Sequence, residues 1–253
     1  MEILVCVKRV PTVGGAITLT ADRRGIDTRM SGFTISPHEE CAVEEAVRLT
    51  ERFGGSVTVV SLGPAEAEEQ LRSCLAVGAS AAVLLETGPG AETGPIATAA
   101  ALCSVVVSGG FNLVLLGNEA SDTGDYQVGI RLAHLLGWPV ATGIKALAVA
   151  GDGVSLTASR TYRGSTEAFT LPLPCVLTVK EGINLPRYPS LPGRLRAKRA
   201  PVTRMSVPEP AAGDIRMTAL RVPEAPTKQA TVLGHGADAV PALVEVLAEI
   251  GVL

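Results

Sequence analysis

Short apolar runs with no polar alternation set the strongest limit on what this chain can fold into. Ile3 to Val7, Val57 to Ser61, Ala82 to Leu85 and Leu113 to Leu116 are rich in Val, Leu and Ile, and polar residues or glycine bound them. A strand covered on one face alternates and a strand covered on both does not, so these runs predict a parallel sheet with helices on either side. Amphipathic stretches separate them. In Pro37 to Phe53, Ala42, Ala46, Leu49 and Phe53 recur at helical spacing, with Glu44 and Arg48 as an i, i+4 pair on the wet side. Ser36 is placed as the N-cap, Pro37 suits the first helical position, Glu39 closes a capping box, and Gly54-Gly55 ends the helix. Pro64 to Val77 and Thr93 to Val107 read as further helices, each after a strand and a turn. Strand, turn and helix repeated with right-handed crossovers give an α/β fold: a doubly wound, mostly parallel, Rossmann-like sheet.

Beyond Pro139 the pattern changes. Val149 to Tyr162 and Thr170 to Val179 read as extended segments, with Gly151-Asp152-Gly153 as a hairpin turn, so a small antiparallel addition is expected. From Pro201 to about Pro226 the chain is rich in proline and poor in periodicity. Residues 1–200 are therefore read as an α/β domain and 201–253 as an arm. The arm ends in an amphipathic helix, Ala237 to Gly251, whose apolar stripe has to pack on its own domain or on a partner subunit.

Composition closes off other classes. The 253 residues are 47% hydrophobic and 19% charged, which is globular, and at 3% aromatic the core must be aliphatic. A net charge of −3 carries no basic field for nucleic acid. No apolar stretch approaches the roughly 18 residues that span a bilayer, so no membrane insertion is expected. The first residues, Met-Glu-Ile-Leu-Val-Cys-Val, read as a strand rather than an export or import signal. Cys6, Cys41, Cys74, Cys103 and Cys175 are odd in number and widely spaced, which suits buried thiols in a reducing cytoplasm better than disulfides or zinc.

In open α/β sheets ligands bind beyond the carboxyl ends of the strands. The loop after Leu116, Gly117 to Gly129, offers small residues, hydroxyls at Ser121 and Thr123, and backbone N–H groups where a helix to Leu136 begins. That chemistry suits a phosphate; the plainer reading is a surface loop with Asp122 or Asp125 as helix cap. Gly88 to Gly94 imitates a dinucleotide fingerprint, but its third glycine is one position late and a proline fills the turn. Three scattered histidines, no Gly-x-Ser-x-Gly elbow and no Gly-Lys dipeptide leave no catalytic constellation. Glu39-Glu40 and Glu44-Glu45 read as a solvated helix face. Lastly, Arg187, Arg194, Arg196, Lys198, Arg199 and Arg204 lie in one stretch without an acid, around the proline-stiffened Leu185-Pro-Arg-Tyr-Pro-Ser-Leu191-Pro-Gly. A leucine on a rigid loop beside cations is a docking point for an acidic protein surface, or else a solvated loop near an anionic ligand.

Several segments in order carry a resemblance: Cys6-Val-Lys-Arg-Val-Pro11, Ala42-Val-Glu-Glu-Ala-Val-Arg-Leu, Ser61-Leu-Gly-Pro, Cys74-Leu-Ala-Val-Gly-Ala79, Asp122 to Gly129 followed by Leu-Leu-Gly-Trp-Pro139, Leu173-Pro-Cys-Val-Leu-Thr-Val179, and Leu185 to Arg199. Over essentially its whole length the chain resembles the β subunit of electron transfer flavoproteins. The resemblance implies an adenine nucleotide alpha hydrolase-like fold and a heterodimer with an α subunit that carries most of the redox-active FAD. It implies an adenine nucleotide in the β subunit itself: AMP, or a second FAD in the electron-bifurcating branch. By position, the nucleotide contacts fall on Cys6, Ser36, Pro37, His38, Glu39, Leu62, Gly117, Asp122, Thr123, Gly124, Asp125, Gln127, Val128 and Gly129. The segment that docks dehydrogenases falls on Arg187, Tyr188, Leu191, Pro192, Arg194 and Arg196, with Leu191 as anchor. The implied role is an electron carrier without bond chemistry of its own, passing electrons from dehydrogenases to a quinone-linked acceptor.

The chain departs from the family pattern in places. Ser36-Pro37-His38 stands where Asn-Pro-Phe or Asn-Pro-Tyr is usual, Pro11-Thr-Val-Gly-Gly15 replaces an aromatic or acidic residue, and Thr161 follows Arg160 where many members have an acid. The loop Asp-Thr-Gly-Asp-Tyr-Gln-Val-Gly matches neither the AMP-binding nor the bifurcating version. Two rival readings are a stand-alone nucleotide-binding stress-type protein and an interaction subunit whose pocket has decayed.

Overall fold

The computed structural model describes residues 1–12, 14, 17–88, 91, 93–207, 215, 217–223 and 230–253. In chain order the elements are β1 (Glu2–Cys6), β2 (Val10–Pro11), β3 (Phe33–Thr34), α1 (Pro37–Phe53), β4 (Ser56–Gly63), α2 (Glu68–Val77), β5 (Ala81–Glu86), α3 (Pro95–Gly109), β6 (Leu113–Gly117), α4 (Val128–Leu136), β7 (Val140–Ile144), β8 (Ala146–Val149), β9 (Ser155–Tyr162), β10 (Ser165–Pro172), β11 (Cys175–Val179), α5 (Leu191–Arg199), β12 (Thr203–Ser206) and α6 (Val240–Glu249).

A seven-stranded sheet in the order β12-β5-β4-β1-β6-β11-β7 forms the centre, and every pair in it is parallel. Ile3 and Val5 point into a core shared with α1 and α2, and Leu4 and Cys6 into one shared with α3 and α4. Both faces of β1 are covered, which is why its sequence does not alternate. The chain leaves β1 for β4 on one side and later reaches β6 on the other. This reversal opens a crevice at the carboxyl ends of β1, β4 and β6. A three-stranded antiparallel sheet, β10-β9-β8, is inserted between β7 and β11, with its β8–β9 turn at Gly151-Asp152-Gly153 as expected.

The differences from the sequence reading are local. Cys175–Val179 belongs to the parallel sheet between β6 and β7, not to the antiparallel addition. Thr203–Ser206 pairs with β5, so the sheet takes in residues assigned to the arm, and the first compact unit runs to Ala219. Leu191 lies not on a loop but at the start of a nine-residue helix, α5. The second unit, Leu220–Leu253, contains α6, on which Val240, Leu243, Val244 and, just past its end, Ile250 are exposed. Parts of the Gly88 to Gly94, Pro11 to Gly15 and Pro201 to Pro226 stretches lie outside the described residues.

Candidate functional site

The site begins at the first turn of α1. Its N-cap, Ser36, donates its backbone N–H to Glu39 Oε2 at 3.0 Å, and Lys8, just past β1, donates its own N–H to Glu39 Oε1 at 3.1 Å. Glu39 is thus a buried buckle between the ends of α1 and β1, not part of a solvated face. Burial pushes its carboxyl up to about 8, against the pull of those two N–H groups. The Ser36 hydroxyl accepts from the Ser121 N–H at 3.0 Å, tying α1 to the loop after β6. Gly117 makes that approach possible, since a Cβ there would stand 2.7 Å from Glu39 Cγ. Gly129 does the same on the far side, where a Cβ would meet Thr178 Cγ2 of β11 at 2.6 Å.

These contacts frame an open cleft of about 860 Å³, counting its mouth. Of the residues expected at a nucleotide, Cys6, Glu39, Leu62, Gly117, Thr123, Asp125, Gln127, Val128 and Gly129 line it. Ser36, Pro37, His38, Asp122 and Gly124 do not. Ser36 lies beneath the wall, Pro37 is exposed at the first position of α1, and Gly124 (φ 60°) turns the loop. Asp122 is a salt-bridge partner, its Oδ1 2.8 Å from Lys8 Nζ, and neither it nor Asp125 caps α4. The N-cap is Gln127, whose side-chain oxygen accepts from Arg131 Nε and Nη2 at 3.1 and 2.8 Å. The first turn of α4 therefore has no side-chain cap, and its residues Val128 and Gly129 line the cleft. His38 lies beside the cleft, its Nδ1 buried without a hydrogen bond and 3.9 Å from Glu119 Oε1. Burial lowers its affinity for a proton.

Asn118, Glu119 and Tyr126 also line the cleft and belong to the 117–129 loop expected there, whereas Lys8 and the opposite wall of Thr93, Pro95, Thr98 and Leu102 escaped sequence reasoning. Lys8 and Asn118 lie within two residues of the carboxyl ends of parallel strands, a position that by itself points to a site. Thr93 sits in the stretch dismissed as an imperfect dinucleotide fingerprint; its helix start serves the cleft without the glycine spacing.

The arrangement can hold a small ligand with one apolar and one anionic part. Leu62, Leu102, Leu116 and Val128 suit a flat ring. An anion would rely on backbone N–H groups of the loop and α4, because the Lys8 ammonium is already paired. Burial makes the Cys6 thiol hard to ionise, with Glu39 adding to the effect, so it offers surface rather than a nucleophile.

On the α1–α2 face, the predicted docking residues gather around α5. Tyr188 is 94% exposed and Leu191 71% exposed. Pro192 and Arg194 are exposed beside them. Arg187 and Arg196 point back into the chain, Arg187 onto Glu44 and Glu51 and Arg196 onto the Leu75 carbonyl. Glu44, read as solvated, is 3% exposed. Its burial would raise the carboxyl, but bonds from Arg187 and Arg48 outweigh it and hold it below the ordinary glutamate range.

A family model described as an electron transfer flavoprotein domain matches residues 25–210. The electron transfer flavoprotein subunit beta of Bacillus subtilis is 35% identical over 82% of this chain and 79% of its own length. The mitochondrial subunit beta of Arabidopsis thaliana is 34% identical over 94% and 95%, and the human one 36% identical over 79% and 78%.

Proposed function

The chain belongs to the electron transfer flavoprotein β-subunit family, and on that premise we propose that it joins an FAD-bearing α subunit and holds an adenine nucleotide in its own cleft. The observation that carries this reading is the single cleft in which Cys6, Glu39, Leu62 and the 117–129 loop meet at the carboxyl ends of the strands. Leu62, Leu102 and Val128 would cover the adenine, Thr123 and the threonines at the start of α3 would meet hydroxyls, and the uncapped turn of α4 would take phosphate. The flavin, when bound, supplies the redox chemistry; this chain's residues bind, orient and exclude water. Electrons would arrive from a dehydrogenase docked at Leu191 and leave to a quinone-linked acceptor, with no bond chemistry of this subunit's own. The apolar stripe of α6 supports packing of the C-terminal arm on the α subunit. The buried thiols support a reducing, cytoplasmic setting. Among the described residues no helix is long and apolar enough to cross a membrane.

The test is to purify the chain with its α subunit, denature the complex and identify the released nucleotides by mass. One FAD and one AMP per heterodimer is the expected result. Two FAD would instead make the 117–129 loop a redox site, and no nucleotide would overturn the reading. At the other site, Leu191→Ala should leave folding and bound nucleotide intact while slowing electron transfer from the donor. Unchanged transfer would remove Leu191 from docking.

A further inference from the structure

The basic stretch read from the sequence as one cationic patch is divided by the fold into two groups with different work. Arg187 is engaged inside the chain. Its Nε and Nη2 donate to Glu44 at 2.9 and 3.1 Å, its Nη1 and Nη2 to Glu51 at 2.6 and 3.0 Å, and its backbone N–H to Glu44 at 3.2 Å. The residues before it are laced to the same helix. Asn184 Nδ2 reaches the Cys41 carbonyl and Glu45 Oε2, and Arg48 Nη2 reaches the Leu185 carbonyl. Beyond it, Ser190 caps α5 by accepting from the Gly193 N–H at 3.1 Å. At the far end, Arg72 Nη1 meets the carbonyls of Ala197, Lys198 and Ala200. Arg204 is paired with Glu68 and Glu86. By contrast, Arg194, Lys198 and Arg199 are exposed and have no ion-pair partner among the described residues. They share the outward side of α5 with Leu191 and Leu195.

We propose that Arg187 is a positioning residue that presets the docking segment against α1, and that Arg194, Lys198 and Arg199 are the cations that meet an acidic face on the electron donor. This rests on the docking reading of Leu191. A guanidinium forked onto two carboxylates is neutralised by its own chain and adds little to long-range attraction. What it supplies is order: Leu185, Tyr188 and Leu191 stay outward and fixed before the partner arrives, which lowers the entropy lost on docking.

Electron transfer into the purified heterodimer, from a flavin dehydrogenase reduced by its own substrate, is followed across ionic strength. Glu51→Gln separates the roles by sign. If Arg187 met the partner directly, removing an acid beside it would free it and speed transfer. If Arg187 positions the segment, the same change slows transfer by up to about fivefold, the scale of an exposed ion pair, when read at an ionic strength high enough to screen the added positive charge. Lys198→Ala with Arg199→Ala should flatten the salt dependence, because these charges steer the encounter. Amide hydrogen exchange over 184–199 should rise in Glu51→Gln and stay unchanged in the Lys198/Arg199 variant. Faster transfer in Glu51→Gln at that ionic strength, or an unflattened salt dependence in the double variant, would overturn the assignment. If Leu191→Ala leaves transfer unchanged, the underlying docking reading has failed instead.

Discussion

The cleft and the segment that leads into α5 both hang on α1, yet they are held in opposite ways. At the cleft, α1 contributes its first turn, and the joints are backbone N–H groups meeting Ser36 and Glu39. Its single lysine is paired and the turn of α4 is uncapped, so bonding capacity is left over for a ligand. At the segment before α5, α1 contributes Glu44, Glu45, Arg48 and Glu51, and the joints are charged side chains bonded until little remains. A pocket for a small anion needs unused donors, whereas a face for a protein needs a fixed shape and can afford to bond its scaffold inwardly.

The contrast breaks most severely at Gly193, where a Cβ would stand 2.3 Å from the backbone oxygen of Ala76. Gly193→Val should push α5 off α2 at a cost of about 3 kcal/mol, the upper range of overpacking, and abolish docking. Bound nucleotide should survive, as measured by mass after denaturation; loss of both would mean the two regions are one cooperative unit. Glu39→Gln probes the cleft side. Between the ordinary glutamate value of 4.5 and about 8 the folded chain keeps a proton that the unfolded chain has released, so this group lowers stability as pH rises through that window. The variant should flatten the fall in urea-denaturation stability between pH 5 and 8 by an amount on the order of a few kcal/mol. Parallel curves for the two proteins would show that Glu39 ionises normally. Gly117→Ala is the mildest change, costing roughly 1–2 kcal/mol as the Glu39 side chain shifts. It should weaken nucleotide retention and leave donor transfer per bound flavin alone; the reverse pattern would put the cleft in the docking path.

Those outcomes turn on features of uneven visibility in the sequence. α1 was read to its bounds because cap, proline and stop glycines frame it, and the central strands because double burial removes their alternation. α5 was not, since Leu191–Arg199 carries four basic residues, starts at a Leu-Pro pair and has no apolar stripe to reveal a helix. Its helicity comes from the Ser190 cap and from contacts with α2. β12 stayed hidden because all four residues are exposed at a sheet edge. Buried Glu39 and Glu44 escaped for a similar reason: periodicity assigns acids to water, and only their partners' positions show otherwise. Of the cleft, the 117–129 loop was legible and the α3 wall was not, because that wall comes from another crossover.

The span of α1 has one more consequence. From Glu39 to Glu51 the helix rises about 18 Å, at 1.5 Å per residue. It works as a ruler joining the place where a nucleotide would sit to the place where a donor would land. Inserting one residue between these two marks would turn the second through about 100° relative to the first. Length and phase here are gauged as finely as any contact, and drift in this stretch should run to substitution far more readily than to insertion.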